Sequence, residues 1–303
     1  MTPVVALGGG HGLATALRAV RRYADDLTAV VSVADDGGSS GRLRRDLGVP
    51  APGDLRRCLV ALAGDDRLWA DAFEYRFAGG ELEGHALGNL ILVGLAETLG
   101  SFEAALDEAG RLLGAVGRVL PATSESVELK AEVGGSAALD EGAEPVEVAG
   151  QVAVANSQGI RRIGLVPADA AASPGAVGAI VVADQVVLAP GSLYTSLLPV
   201  LCVAGIRDAV ARTRAQVVQV CNLHPQPPET TGLDGGDHLR AVLDHGTRVD
   251  VFLIEADGAL AVDATLVSEW GVRLVAGDVA RPSGRAHDPV KLAPALADLL
   301  ESN

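Results

Sequence analysis

Val4-Val5-Ala6-Leu7-Gly8-Gly9-Gly10-His11-Gly12-Leu13 is the stretch whose reading decides the fold. A β-branched apolar run, Val4–Leu7, breaks into glycines. An apolar-periodic stretch, Ala14–Tyr23, follows, with Leu13, Leu17 and Val20 on one helical face. The next apolar run, Leu27–Val33, sits where the second strand of a βαβ unit belongs, and such strands pair in parallel. Glycine lets the chain turn tightly and approach a ligand with no Cβ in the way. The helix start behind it offers unpaired N–H groups and the positive end of the dipole. The string Gly8, Gly9, Gly10, His11, Gly12, Leu13 therefore reads as a phosphate cradle, the alternative being a bare βα turn. It is not the dinucleotide fingerprint, because Leu13 stands where the third glycine belongs. Nor is it a P-loop, which needs Gly-Lys followed by Ser or Thr.

Two further strand-to-helix turns repeat this logic. Ala34-Asp35-Asp36-Gly37-Gly38-Ser39-Ser40-Gly41-Arg42 ends the second strand. Ligands of open parallel sheets sit at the carboxyl ends of strands, so this turn and the first rim one crevice. Asp35 and Asp36 suit ribose hydroxyls, a Mg²⁺ or a general base, while Ser39, Ser40 and the Gly38 and Gly41 amides suit a phosphate or sugar. The alternative is a solvated turn capping the next helix. Ala189-Pro190-Gly191-Ser192-Leu193-Tyr194-Thr195-Ser196 follows the run Val186–Leu188. Ser192 and Thr195 offer hydroxyls to phosphate and Tyr194 offers a ring, against the reading of an ordinary N-cap. Asn89, inside the apolar run Leu87–Leu95, needs partners if buried and is a further ligand candidate. Asn222, Glu229 and Thr230 flank a Pro-, Thr- and Gly-rich loop, Leu223–Gly236, and can reach the crevice.

Composition narrows the class. The 303 residues hold 24 Lys and Arg against 39 Asp and Glu, a formal charge of −15. Nucleic-acid and anionic-membrane partners need clustered basic residues, so neither is expected. Mean hydropathy is +0.29, yet the most apolar runs, Gly88–Ala96 and Gly175–Ala183, fall short of the roughly 20 residues of a spanning helix. The N-terminus shows no basic segment or cleavage site, so no signal peptide is expected. Cys58, Cys202 and Cys221 are odd in number and widely spaced, which reads as reduced core thiols in a cytoplasmic protein.

The expected organisation is one α/β domain over 1–303, Rossmann-like, with a mostly parallel sheet and helices on both faces. A helical insert is expected over about 54–114, from Asp54–Ala63, Leu68–Phe77, Ala86–Leu99 and Phe102–Leu113. A small antiparallel β section is expected over about 117–164, with strands at Val127–Val133 and Val146–Val154. Further strands are expected at Val217–Cys221 and Val249–Ile254, with helices at Tyr194–Val203, around His238–Leu243 and at Val290–Leu300. His238 and His245 are seven apart, too far for an i, i+4 zinc pair.

Together these segments resemble the CofD/YvcK family (UPF0052-type), and within it the YvcK branch of gluconeogenesis factors. The likeness is carried by Gly8–Gly12, Val33–Leu43, Pro52-Gly53-Asp54-Leu55-Arg56, Gly84–Leu90, Ala189–Ser196, Cys221-Asn222-Leu223 and Asp237-His238-Leu239. The resemblance implies a Rossmann-like fold and binding of a nucleotide or UDP-sugar, foremost UDP-GlcNAc. It also implies a cytoplasmic regulatory role in cell shape, cell-wall synthesis and carbon metabolism. CofD-type relatives are instead transferases that move phospholactate onto a deazaflavin, with Mg²⁺, which Asp35 and Asp36 would hold here. His11 departs from the Thr or Ser usual at its position, and Leu223–Thr230 departs from the family's Met-Thr-Gln-x-Gly-Glu-Thr pattern. Arg285 lies one residue off the Arg that usually precedes His287-Asp288.

A flat tricyclic acceptor wants aromatic walls, and three Tyr, four Phe and two Trp furnish few. No nucleophile stands beside an obvious base, and no Cys lies in a cradle. The expectation is a binding protein without catalytic residues or a required cofactor, working as a homo-oligomer, with the phospholactate transferase as the alternative.

Overall fold

A computed structural model describes residues 1–64, 67–134 and 145–301. The first βαβ unit is β1 (Pro3–Gly8), α1 (Gly10–Val20) and β2 (Asp26–Val31). Its two strands pair in parallel with Leu7 beside Val30 and Gly8 beside Val31. Every residue of β1 from Val4 on is buried, as both faces of a parallel sheet must be.

Five helices separate β2 from the next strand: α2 (Gly38–Leu47), α3 (Pro52–Leu62), α4 (Arg67–Glu74), α5 (Leu87–Leu99) and α6 (Phe102–Leu112). Pro52 sits in the first turn of α3, where its missing N–H costs nothing. Next comes β3 (Arg118–Pro121), which pairs in parallel with β2. Within the β-rich section expected over about 117–164, the four residues Arg-Val-Leu-Pro are therefore the edge strand of the main sheet. The antiparallel part is β4 (Glu128–Val133) flanked by β5 (Val146–Ala149) and β6 (Ile160–Val166). Residues 135–144 of that section lie outside the described ones. The expected strand Val146–Val154 ends early at Ala149, because Gly150 (φ +94) turns the chain into the short helix α7 (Gln151–Ala155).

The second half runs α8 (Pro174–Val182), β7 (Gln185–Leu188), a π-helical turn (Leu193–Leu197), α9 (Leu198–Cys202), α10 (Ala204–Arg212), β8 (Gln216–Val220) and α11 (Gly235–Asp244). It ends in β9 (Val251–Glu255), α12 (Ala264–Glu269), β10 (Arg273–Gly277) and α13 (Pro289–Glu301). The expected helix Tyr194–Val203 is thus a π-turn running into a short α-helix. The seven described strands of the main sheet lie in the order β10-β9-β8-β7-β1-β2-β3, all parallel. Helices α1, α3 and α13 pack together, and α8, α9 and α10 pack together, as two separate groups.

This order places the switch point between β1 and β7, where successive connections leave in opposite directions. That is where an open α/β sheet leaves a crevice. Leu7 is flanked by Val30 and Leu188, so the three glycine turns leave the same sheet edge side by side. Among the described residues, no single helix is long and apolar enough to cross a membrane.

Candidate functional site

The turns after β1, β2 and β7 enclose a cleft of about 450 Å³. From the candidates read in the sequence it is lined by Gly9, Gly10, His11, Gly12, Asp35, Ser39, Ser40, Asn89, Gly191 and Ser192. A second cleft of about 300 Å³ takes Pro190 and Asn222, and shares His11, Gly12, Gly191 and Gln226 with the first.

Close approach of the β1 and β7 turns explains Gly12. A Cβ there would stand 1.8 Å from the Pro190 carbonyl oxygen. The Gly191 turn is held from the far side by Asn222, whose Oδ1 accepts from the Gly191 N–H and whose Nδ2 donates to the Gly191 carbonyl, both at 2.7 Å. Asn222 thus fixes the wall of both clefts.

The start of α1 is not the open cradle its glycines suggest. The Gly10 N–H donates to Asp54 Oδ2 at 2.7 Å, and Asp54 Oδ1 receives Arg57 Nη1 at 2.6 Å. The His11 and Gly12 amides find no acceptor among the described residues and remain for a ligand. Burial pushes the Asp54 carboxyl up; Arg57 opposes this, neighbouring Asp35 adds to it, and the Gly10 N–H opposes it. Gly53 is what brings the acid in, since a Cβ on it would meet Ser40 Oγ at 2.3 Å and Asp35 Oδ2 at 3.1 Å.

The start of α2 forms the opposite wall. Asp35 Oδ1 accepts from the Gly37 N–H at 2.9 Å, closing the turn that presents the Gly38, Ser39 and Ser40 amides. These are the unpaired donors of a helix N-terminus. Ser39 Oγ lies 3.1 Å from His85 Nδ1 and accepts from Asn89 Nδ2 at 3.0 Å. Burial, with Arg42 nearby, lowers the His85 pKa. With its amide nitrogen committed, fully buried Asn89 keeps Oδ1 without a partner, an acceptor for a hydroxyl or N–H from the cleft.

Other expected contacts lie elsewhere. Leu13 is fully buried in the core, and Gly8 ends β1 at φ +149. Asp36 turns away from the cleft, and its Oδ1 accepts from the Val152 N–H at 2.9 Å. It fastens α7 to the sheet edge, whereas Asp35 lines the cleft. Gly41 lets α2 pack on the Asp36 carbonyl, which a Cβ would reach at 1.8 Å. Tyr194 and Thr195 are buried and held by Glu229: Oε1 accepts from both their N–H groups, at 2.7 and 3.2 Å, and Oε2 accepts the Thr195 hydroxyl at 3.1 Å. Glu229 therefore braces the π-turn instead of reaching the crevice, and burial raises its pKa against these three bonds.

Residues that sequence reading passed over as ligands are Gly53, Asp54, Arg57, Arg76, Gln151, Ser196 and Gln226, all lining the first cleft. Of these, Gly53 and Asp54 lie in Pro52-Gly53-Asp54, Ser196 in the third glycine turn and Gln226 in the Leu223–Gly236 loop. Among the described residues, no three His, Cys, Asp or Glu side chains converge on a metal-sized space.

A family model described as 2-phospho-L-lactate transferase CofD matches residues 4–280. A Mycobacterium leprae (strain TN) protein named "Putative gluconeogenesis factor" is 46% identical over 307 aligned positions, spanning 97% of this chain and 84% of that protein. The "Gluconeogenesis factor" of Halalkalibacterium halodurans is 42% identical over 243 positions, spanning 80% of this chain and 73% of its own length. A crystal structure of a UPF0052-family member from Bacillus halodurans superposes with a TM-score of 0.90 at 35% identity, covering 98% of each chain.

Proposed function

The chain belongs to the CofD family, and we propose that it is a cytoplasmic regulatory protein that binds a nucleotide-sugar, foremost UDP-GlcNAc, without turning it over. The observation that carries this reading is the convergence of two helix N-termini, α1 and α2, on one polar cleft. The amides of His11, Gly12, Gly38, Ser39 and Ser40 suit a diphosphate. Arg57 and Arg76 line the same space and offset the charge of Asp35 and Asp54. Asn89 Oδ1 and the carboxylates form an acceptor-rich wall that favours sugar hydroxyls over further phosphate. The second cleft, contiguous through His11, Gly12, Gly191 and Gln226, extends the space for the nucleoside. The curated relatives' names support a role in gluconeogenic carbon metabolism, and control of cell shape and wall synthesis follows from the sugar nucleotide in this reading.

A Mg²⁺ is compatible with the donors present. Asp35, with Asp54 in place of Asp36, offers two carboxylates, and Mg²⁺ is commonly held by one or two carboxylates plus ligand phosphates and water. Bound there, the ion would neutralise charge between carboxylates and diphosphate. This pair is also the observation that favours the second reading, a phospholactate transferase. Against it, no Phe, Tyr or Trp is found among the described residues lining either cleft, and these are the walls a deazaflavin wants. The test is calorimetric titration with UDP-GlcNAc, UDP-glucose, GDP and NAD. A separate incubation supplies an activated phospholactate donor, deazaflavin and Mg²⁺. Saturable UDP-GlcNAc binding with the ligand recovered intact supports the sensor, and multiple turnovers of phospholactyl-deazaflavin replace it with the transferase.

A further inference from the structure

A third, open depression of about 610 Å³ lies beyond the two clefts and is lined by Arg18, Arg21, Arg22, Arg281, Asp288 and adjoining prolines. That size is ordinary for a small-molecule site. Four arginines line it in a chain of formal charge −15, in which acids outnumber bases. Arg18, Arg22 and Arg281 make no ion pair with a described carboxylate. Asp288, the one acid on the wall, spends Oδ1 on the Val290 N–H at 2.9 Å as the start of α13.

The site is built as well as charged. Arg21 is anchored by Nη1, which donates to the Ala61 and Ala63 carbonyls at 3.2 and 3.1 Å at the end of α3. The segment carrying Arg281 is closed on itself by Arg281 N–H to Ala286 carbonyl at 2.9 Å, and by Asp288 N–H to Val279 carbonyl at 2.8 Å. Along α1, His11, Thr15, Arg18 and Arg22 share one helical face. The first two border the second cleft and the last two border this site, so the two sites lie along the same face of α1.

We propose that this arginine cavity is a second anion site, separate from the cleft, for a small multiply charged phosphate compound. Arginine forks match phosphate oxygens in pairs, and a cavity of this volume suits a metabolite better than an extended macromolecule. The inference does not depend on what the first cleft binds.

The experiment titrates inorganic pyrophosphate into the full chain by calorimetry, with and without saturating UDP-GlcNAc. The parent is compared with Arg18→Ala/Arg281→Ala and with Arg18→Lys/Arg281→Lys. The expected result is a pyrophosphate equivalent that survives UDP-GlcNAc and weakens about tenfold or more in the alanine variant, with partial retention in the lysine variant. Melting and UDP-GlcNAc binding should be unchanged in both variants. Pyrophosphate isotherms that are the same in parent and alanine variant overturn the proposal. So does binding of a polyglutamate peptide to the parent when pyrophosphate is silent, which would make the arginine site a protein-docking surface. Absence of UDP-GlcNAc binding with the pyrophosphate result intact refutes only the cleft reading.

Discussion

Gly12→Ala tests how the cleft is held together. The added Cβ would lie 1.8 Å from the Pro190 carbonyl oxygen, 2.6 Å from its carbon and 2.9 Å from Gly191 Cα, against the 3.4 Å at which ordinary contact begins. All three neighbours are backbone, so relief requires the β1 and β7 turns to part by more than an ångström. Asn222 resists that movement through its two 2.7 Å bonds to Gly191. Overpacking of this kind costs about 1–3 kcal/mol, offset by up to about 1 kcal/mol from the better helix propensity of alanine. The net expectation is a loss of about 1–2 kcal/mol in urea unfolding. UDP-GlcNAc affinity should fall about tenfold or more, because the displaced turns are the cleft walls. Gly94→Ala is the control: it lies in α5, and its Cβ meets nothing within 4 Å, so it should gain about 0.5–1 kcal/mol and bind as the parent does. A Gly12→Ala protein matching the parent in both stability and affinity would refute the close-approach argument.

Further outcomes follow from the same geometry. Glu229→Ala leaves three buried donors on Tyr194 and Thr195 unpaired and should cost about 3 kcal/mol or more in urea unfolding; an unchanged midpoint would remove its bracing role. Burial holds the His287 pKa down to about 4 from 6.5. The folded state therefore binds fewer protons than the unfolded one below pH 6.5. Stability should be intact above 6.5 and decline as pH falls toward 4, and His287→Gln should shrink that decline in a pH series of unfolding curves. Asp35→Asn should weaken UDP-GlcNAc binding or abolish any Mg²⁺ dependence, whereas Asp36→Asn should alter stability and leave the Mg²⁺ response alone; equal ligand effects at both positions would restore the adjacent pair as the binding acids.

Much of the fold was legible because parallel strands buried on both faces are runs of apolar residues, as Val4–Leu7 and Val217–Cys221 are. β3 was not legible as a strand, since four residues carry no period and only pairing with β2 defines them. β6, Ile160-Arg161-Arg162-Ile163-Gly164, places arginines where alternation was sought, and only the antiparallel partner β4 reveals it. At the site, glycine turns were visible because their chemistry is local. Arg57 and Arg76 were not, because α3 and the segment after α4, outside the glycine turns, bring them in. The two adjacent acids look alike in sequence; Gly37 turns Asp35 into the cleft and Val152 draws Asp36 away. Tyr194 and Thr195 read as ligand groups only while the buried Glu229 carboxylate behind them was out of view. The Ser39–His85 contact, a hydroxyl 3.1 Å from an imidazole nitrogen, also needed the fold.

Calorimetric titration of the purified chain with UDP-GlcNAc, followed by chromatographic recovery of the ligand, tests the central claim most directly. The account predicts one saturable site per chain, weakened about tenfold or more in Gly12→Ala, with the sugar nucleotide returned intact. No heat of binding from UDP-GlcNAc, or its conversion to products during the titration, would contradict it.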